Sequence, residues 1–560
     1  MIRKLSYLFT FFIVFACSED FTESPAVGAL STDILGNEAG IDLLLTGAYS
    51  SLNAVVNHGY GNGWGRAADN WTMDVMSDDA HKGSTDDDQA DLKEMELYNW
   101  SPANGYWLAR WGVLFAGTNR ANAVIALAQA SEDDLSSYEA QARFLRGHFN
   151  YNIQVMYGNV PYISAENFSN NEFNQPNSGA IWDQIVADFD YAIQNLPQSQ
   201  SSAPGRPTSW AAKAYKGKAL AQQGQYSQAL PILVDVIENG PYDLLPNFGD
   251  NFKAKGENGS ESIFAIQFTK DGGQSFNANI VGALNYPQGG PFGSCCGFYQ
   301  PTQDLVNAYK TENGLPLLDT FNNTDVTNDY GIESSASFTP YAGELDPRLD
   351  FTVGRRGIDY NGYGIHIGKD WIRAGFNDIS GPYSPKKNIY QKEESSQVQA
   401  TGGWGEQLSG LNHHIMRLGG IVALAAEAAA EANDIPTALK YVNRLRARAK
   451  TSERILDTNG NPAANYNIET YASFANQAEA IKAARFERRL EIAMEGQRLF
   501  DLRRRGTSEA ILNEYVRNEA RTISNFGQKA SSYQSKHDMF PIPQQAIDQS
   551  QGALSQNPGY

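Results

Sequence analysis

Apolar residues recur every three to four positions as far as Gly240, and again beyond His414, which predicts two runs of amphipathic helix. In 37–56 the recurring residues are Ile41, Leu44, Leu45, Ala48 and Leu52. The pattern stops between His58 and Asn99, a stretch rich in Gly, Asp and Trp, and resumes over 105–130. There Trp107 and Trp111 fall four apart on one helix face, so both are expected in the core. Further helices are predicted over 132–157 and 180–196, separated by a loop, Gly158 to Ser178. A helical hairpin over 209–240 completes this part.

That hairpin is the most regular stretch. Gly217 and Ala229 place small residues where two antiparallel helices must touch, Gly224 and Tyr226 mark the turn, and Leu220, Leu233 and Val236 form the seam. These positions fit the tetratricopeptide pattern, whose small residues let helices close to contact. The spacing recurs at Ala426, Asn433, Ile435, Ala438, Val442 and Leu445, so the chain is expected to be mainly α, built on a helical repeat scaffold. Such repeats often bind peptide, which keeps a protein–protein scaffold among the readings. Between Pro241 and Leu411 the periodicity fades. Gly, Pro, Asn and Tyr punctuate short apolar runs such as Ser262–Phe268 and Arg348–Val353, which predict strands and long loops, with one helix over Thr302–Tyr309. Helix is expected again from His414, and from Ala475 to Arg505.

The N-terminus reads as an export signal. Arg3 and Lys4 precede an apolar run from Leu5 to Ala16, shorter than the ~20 residues that span a bilayer. Ile13-Val14-Phe15-Ala16-Cys17 resembles a bacterial lipobox, which makes Cys17 the expected lipidated first residue of the mature protein. Ser18-Glu19-Asp20 resembles the acidic export signal of surface lipoproteins in Bacteroidota. The expected organisation is a signal peptide (1–16), a tether (17–28), a helical-repeat part (29–240) with an inserted ligand loop (58–99), a loop-rich lobe (241–411) and a second helical part (412–560). A lipid anchor, not a spanning helix, then holds the protein at the membrane.

The other two cysteines, Cys295 and Cys296, are adjacent. Neighbouring Cα atoms lie ~3.8 Å apart, under the usual ~4.4–6.8 Å for a disulfide, so a vicinal disulfide and two free thiols both stay open. Metal binding is disfavoured there because no CxxC or histidine partner accompanies the pair. A net charge of −19 argues against nucleic acid, which needs a basic footprint, and tilts any glycan ligand toward a neutral one. The sequence holds no GxSxG, HExxH, GxGxxG or GxxxxGK[ST] motif, and its seven histidines are scattered. Asp86-Asp87-Asp88 lacks the alternation of a calcium loop. No catalytic set, metal or cofactor is expected, although abundant carboxylates leave a glycosidase pair open.

Toward the C-terminus the chain acquires a specific likeness. Phe486-Glu487-Arg488-Arg489-Leu490-Glu491-Ile492-Ala493, followed by Glu495-Gly496-Gln497-Arg498-Leu499-Phe500-Asp501-Leu502-Arg503-Arg504, resembles the signature of the SusD/RagB family. It departs in having Ile-Ala where Leu-Ala is commoner, and Arg505 where tryptophan often stands. Pro301-Thr302-Gln303-Asp304-Leu305, Pro541-Ile542-Pro543 and the closing Gln556 to Tyr560 are similar to other segments of that family. The resemblance implies a SusD-like fold and a surface lipoprotein of the outer membrane that binds oligosaccharides without cleaving them. It also implies a partner, a SusC-like TonB-dependent transporter, over which the protein acts as a lid. By spacing alone, Arg488, Arg489, Glu491, Glu495 and Arg498 can pair along one helix face, so the signature reads as scaffold.

Sugar binding needs rigid aromatic faces beside polar groups that fix hydroxyls. Trp64, between glycines, Trp371, beside Lys369, Asp370 and Arg373, and Trp404, in Gly402-Gly403-Trp404-Gly405, meet that description. Asp78 and His81 fall where the family's first binding loop lies, and Tyr286, Phe292, Cys295 and Cys296 occupy a Gly/Pro-rich loop similar to its variable ligand loop. Trp182 and Trp210 belong to repeat helices and are expected in the core. The ligand expected is a neutral oligosaccharide or polysaccharide, a β-1,3-glucan such as laminarin or a fructan. An exported glycoside hydrolase is the catalytic alternative.

Overall fold

The computed structural model describes residues 38–54, 64, 71–271, 278–279, 282–293, 296–387, 389–401 and 407–560. Its N-terminal half is a run of helices in which each packs against the next. These are α1 (Glu38–Ser50), α2 (Gly105–Ala130), α3 (Ser136–Tyr157), α4 (Trp182–Asn195), α5 (Ser209–Gln222) and α6 (Tyr226–Asn239). Trp107 is fully buried and Trp111 nearly so, as their shared face requires. Trp182 and Trp210 are only partly buried at the edge of the same core. Side-chain caps set helix starts: Asn104 accepts from Tyr106 N at 3.0 Å and Thr208 from Ala211 N at 3.1 Å.

The α5–α6 hairpin closes as its small residues allow. A Cβ on Gly217 would lie 2.6 Å from Leu233 Cδ2, so Gly217→Val is expected to destabilise the protein by ~1–3 kcal/mol, read as a shift of the urea midpoint. Gly224 (φ +73°) and Asn433 (φ +62°) are both left-handed, which places the two predicted repeats in the same register. The second repeat is α8 (Leu418–Glu431) with α9 (Ile435–Thr451), named after the short α7 (Gln303–Ala308) of the lobe. α6 packs directly on α8. The two helical parts thus form one stack, and the lobe is an excursion between two hairpins that touch.

Several boundaries differ from the sequence reading. The stretch 58–99 holds two short helices, Trp71–Val75 and Ala90–Glu96. Residues 348–353, expected as a strand, form a helical turn, Leu349–Thr352, because Arg348 is pinned there by Asp346 and Glu491. Residues 413–417 are a strand paired with Ser262–Ile266, so helix begins at Leu418 and not at His414. The expected helix 475–505 is two, α10 (Gln477–Ile492) and α11 (Arg498–Arg504), followed by α12 (Ser508–Glu519). Met494 (φ +61°) and Gly496 (φ +74°) make the break. The signature charges consequently pair mostly outward: Glu491 meets Arg348, Arg417 and Arg448, and Glu495 meets Arg417 and Lys387. Sheet among the described residues is limited to two-stranded antiparallel pairs. No described helix is long and apolar enough to cross a membrane.

Candidate functional site

Two of the candidate site residues turn out to belong to the frame. Strand Ala80–Gly83 pairs with Phe298–Pro301, and Thr302 extends the contact by donating its hydroxyl to Asp78 O at 2.7 Å. Asp78 is buried and held by both Nε and Nη2 of Arg498 at 2.7 Å. Burial opposes its charge, but the Arg489 and Arg498 guanidiniums outweigh it and hold the carboxyl below the usual carboxylate range. Arg489 also donates to Asp79 at 2.9 Å and to Asp304 at 2.8 Å. His81 is 0% exposed, its Nδ1 2.7 Å from Glu96 and its Nε2 2.9 Å from Glu519. Burial again opposes the charge, yet the hydrogen bonds with the two carboxylates push the imidazole up to about 9. Asp78 and His81 are thus built into this junction, their polar atoms engaged by protein partners. Glu519 meanwhile accepts from Gln303 N and Asp304 N, capping the start of α7.

The structure brings three other candidates together in the lobe. Tyr286, Phe292 and Trp371 share a cluster with Tyr360, Ile389, Tyr390 and Val398, flanked by Tyr363. Phe292 is the hub, its ring centroid 4.4 Å from Tyr363, 5.7 Å from Tyr360, 5.8 Å from Tyr286 and 6.3 Å from Trp371. Gly290 (φ +54°) lies so close over the Trp371 indole that a Cβ there would collide with the ring. His366 stands 5.0 Å from Trp371 and accepts from Gly368 N, while burial holds its imidazole down to about 3, so it is neutral. Trp371, expected to present its face to a sugar, is instead 5% exposed because Phe292, Tyr360 and His366 cover it. Tyr286 and Phe292 are likewise buried.

What remains accessible is different. Tyr363 is partly exposed, as is Trp64, which packs against both the main core and a small group formed by Ala278, Ala283 and Leu408. Arg373 is about one-third exposed and pairs with Asp88 at 2.6 Å. Asp86 of the acidic run accepts from Ile379 N and pairs with Lys529. Cys296 is disulfide-bonded and buried, while Cys17, Cys295 and Trp404 lie outside the described residues. The sequence reading missed Tyr360, Tyr363 and Tyr390. Tyr363 carried the same signal as Trp64, an aromatic with glycines on both sides, Gly362 and Gly364.

Chemically, the lobe offers the half-exposed ring of Tyr363 on a preformed aromatic base, a surface on which a polyhydroxylated ligand can stack. Among the described residues, no group of three or more His, Cys, Asp or Glu side chains is placed to hold a metal ion.

Comparison with known proteins identifies the family and the fold. Residues 260–560 match the SusD family, and residues 31–219 match a family described as starch-binding, associating with outer membrane. A SusD-like protein P2 from Formosa agariphila is 23% identical over 100% of this chain and 99% of its own. A solved laminarin binding SusD-like protein superposes with a TM-score of 0.65 at 21% identity, covering 94% of this chain and 100% of the other. Surface glycan-binding protein A from Bacteroides thetaiotaomicron, solved with laminarihexaose, gives 0.62 at 21% identity, over 93% of this chain and 99% of that one.

Proposed function

The chain belongs to the SusD family, and from that premise we propose that it is a non-catalytic cell-surface protein that captures a neutral glycan. Capture is followed by delivery to a SusC-like TonB-dependent transporter, over which the protein sits as a lipid-anchored lid held through Cys17. The observation that carries the binding function is the aromatic base of the lobe, with Tyr363 leaving part of its surface accessible; Trp64, packed against Ala278, Ala283 and Leu408, is a separate half-exposed ring. A β-1,3-glucan is the leading ligand, supported by the laminarin and laminarihexaose ligands of two structural neighbours; a fructan is second.

One ring face covering ~40–60 Å² of apolar sugar surface contributes ~1–1.5 kcal/mol. Tyr363→Ala is therefore expected to weaken retention on a laminarin affinity gel by about tenfold with little change in melting temperature. Trp371→Ala is a contrasting case, because emptying the cluster costs ~3–5 kcal/mol of stability before any ligand is considered. Wild-type protein that migrates freely through laminarin and fructan gels would overturn the reading, as would release of new reducing ends from either polymer.

A further inference from the structure

Residues 287–293 run over the aromatic cluster of the lobe as a strap whose middle dips inward. Gly290, Pro291 and Gly293 face solvent, while Phe292 between them is buried and plugs the cluster. The backbone reaches the base because two of its residues lack a side chain. A Cβ on Gly289 would lie 2.6 Å from Asp370 O, and one on Gly290 would strike the Trp371 indole. Gly289, Gly290 and Gly293 hold φ of +81°, +54° and +81°, a region that glycine enters and leaves without steric cost.

Little besides the one ring holds the strap down. Gly289 N donates to Gly293 O at 2.6 Å and Phe292 N to Gly289 O at 3.3 Å, both bonds internal to the strap. Among the described residues, the single hydrogen bond tying it to the rest of the protein runs from Gln407 Nε2 to Phe292 O, long at 3.4 Å. The closed arrangement also leaves Gln288 Oε1 and both polar side-chain atoms of Asn285 buried without a partner, which costs free energy. The base beneath is tied more firmly. Tyr360 N and Trp371 N donate to Gly364 O and Gly368 O at 2.9 Å, and the Tyr360 hydroxyl donates to Pro385 O. Segments with few outside bonds are the ones that open locally at least cost.

We infer that residues 287–293 are a hinged cover, in which Phe292 holds the place of a sugar ring against Tyr360, Tyr363 and Trp371 until a glycan displaces it. The inference rests on the glycan-binding reading above and adds control of access to it. A ligand meets Tyr363 first, and reaches the rings beneath the strap once the glycines at 289, 290 and 293 let it lift. Opening is then part of the binding equilibrium, so apparent affinity is lowered by the fraction of protein already open.

The test uses the full mature chain with the oligosaccharide of whichever polymer retains it on a gel, laminarihexaose or kestose. Hydrogen exchange is read on peptides covering 287–293 and 358–372. Ligand is expected to speed exchange in the strap, where Gly289 and Phe292 lose their bonds, and to slow it in 358–372. Gly290→Ala, which cannot close onto the indole, is expected to bind about tenfold more tightly than wild type, as is Phe292→Ser, which removes the plug without a new clash. The wild-type measurement decides wherever a variant unsettles the base, seen as faster exchange in its ligand-free 358–372. Slower exchange in both segments describes a ligand lying on a closed strap and overturns the cover. So does either variant binding no better than wild type while its 358–372 exchange is unchanged. Wild-type retention on a gel in those cases leaves the glycan-binding reading standing, whereas no retention on either polymer removes both.

Discussion

Replacing Arg489 with alanine is expected to lower unfolding free energy by ~3–5 kcal/mol, the typical cost of deleting one partner of a buried ion pair. The reason is the company the guanidinium keeps. It is 3% exposed in its side chain and lies within 3.2 Å of oxygens on Asp78, Asp79 and Asp304, carboxylates which are themselves buried. Removing it leaves those charges facing each other with Arg498 alone, on Asp78, to offset them. Urea unfolding followed by circular dichroism measures the effect, and a midpoint shift equivalent to under ~1 kcal/mol would show that the junction is not held by this residue. Arg489→Lys is expected to recover little of the loss, because an ammonium cannot reproduce the forked contact with several acceptors.

Raising the pH from 6.5 to 10 is expected to remove ~3 kcal/mol of stability from wild type relative to His81→Gln. His81 has its folded value pushed up to about 9 against an unfolded value of 6.5, by hydrogen bonds with Glu519 and Glu96 that overcome burial. A group raised in the fold contributes fully below its unfolded value and loses that contribution as pH climbs through the folded one, at ~1.4 kcal/mol per pKa unit. The window is therefore about 6.5 to 9. Asp74, pushed up to about 8 by burial and by neighbouring Asp79, adds a loss in the same direction. Lys82 is held down to about 8 by burial and works in the opposite sense above that pH. Comparing wild type with His81→Gln cancels both. Parallel stability profiles for the two proteins between pH 6.5 and 10 would mean that His81 is neutral in the fold.

The helical stack was legible because its cause is local. Gly217, Ala229, Gly224 and Asn433 sit where helix contact and left-handed turns require small or permissive residues, and periodicity alone reveals them. The junction was not. Asp78 and His81 looked like loop residues with useful chemistry, since nothing near them in sequence announces Arg489, Arg498 or Glu519. Helix periodicity also carried the signature straight through Gly496, where the backbone breaks and turns its charges outward. In the lobe the sequence pointed to aromatics that the structure buries. Trp371 and Phe292 attract attention as large aromatics, yet size is what makes them the cluster's interior, while the glycine-flanked Tyr363 keeps its accessible surface.

The Asp78–Arg489 contact joins residues 411 positions apart, and two others do the same at the chain ends. Trp100 donates to Tyr560 across 460 positions, and Asn557 donates to Tyr157 O across 400. Closing such long loops costs entropy before any contact repays it, which slows folding. Asp78 and Asp79, just before the strand Ala80–Gly83, cannot be locked until α10 and α11 have been made and have docked. The helices α1–α6, whose contacts run between sequence neighbours, are free of that delay.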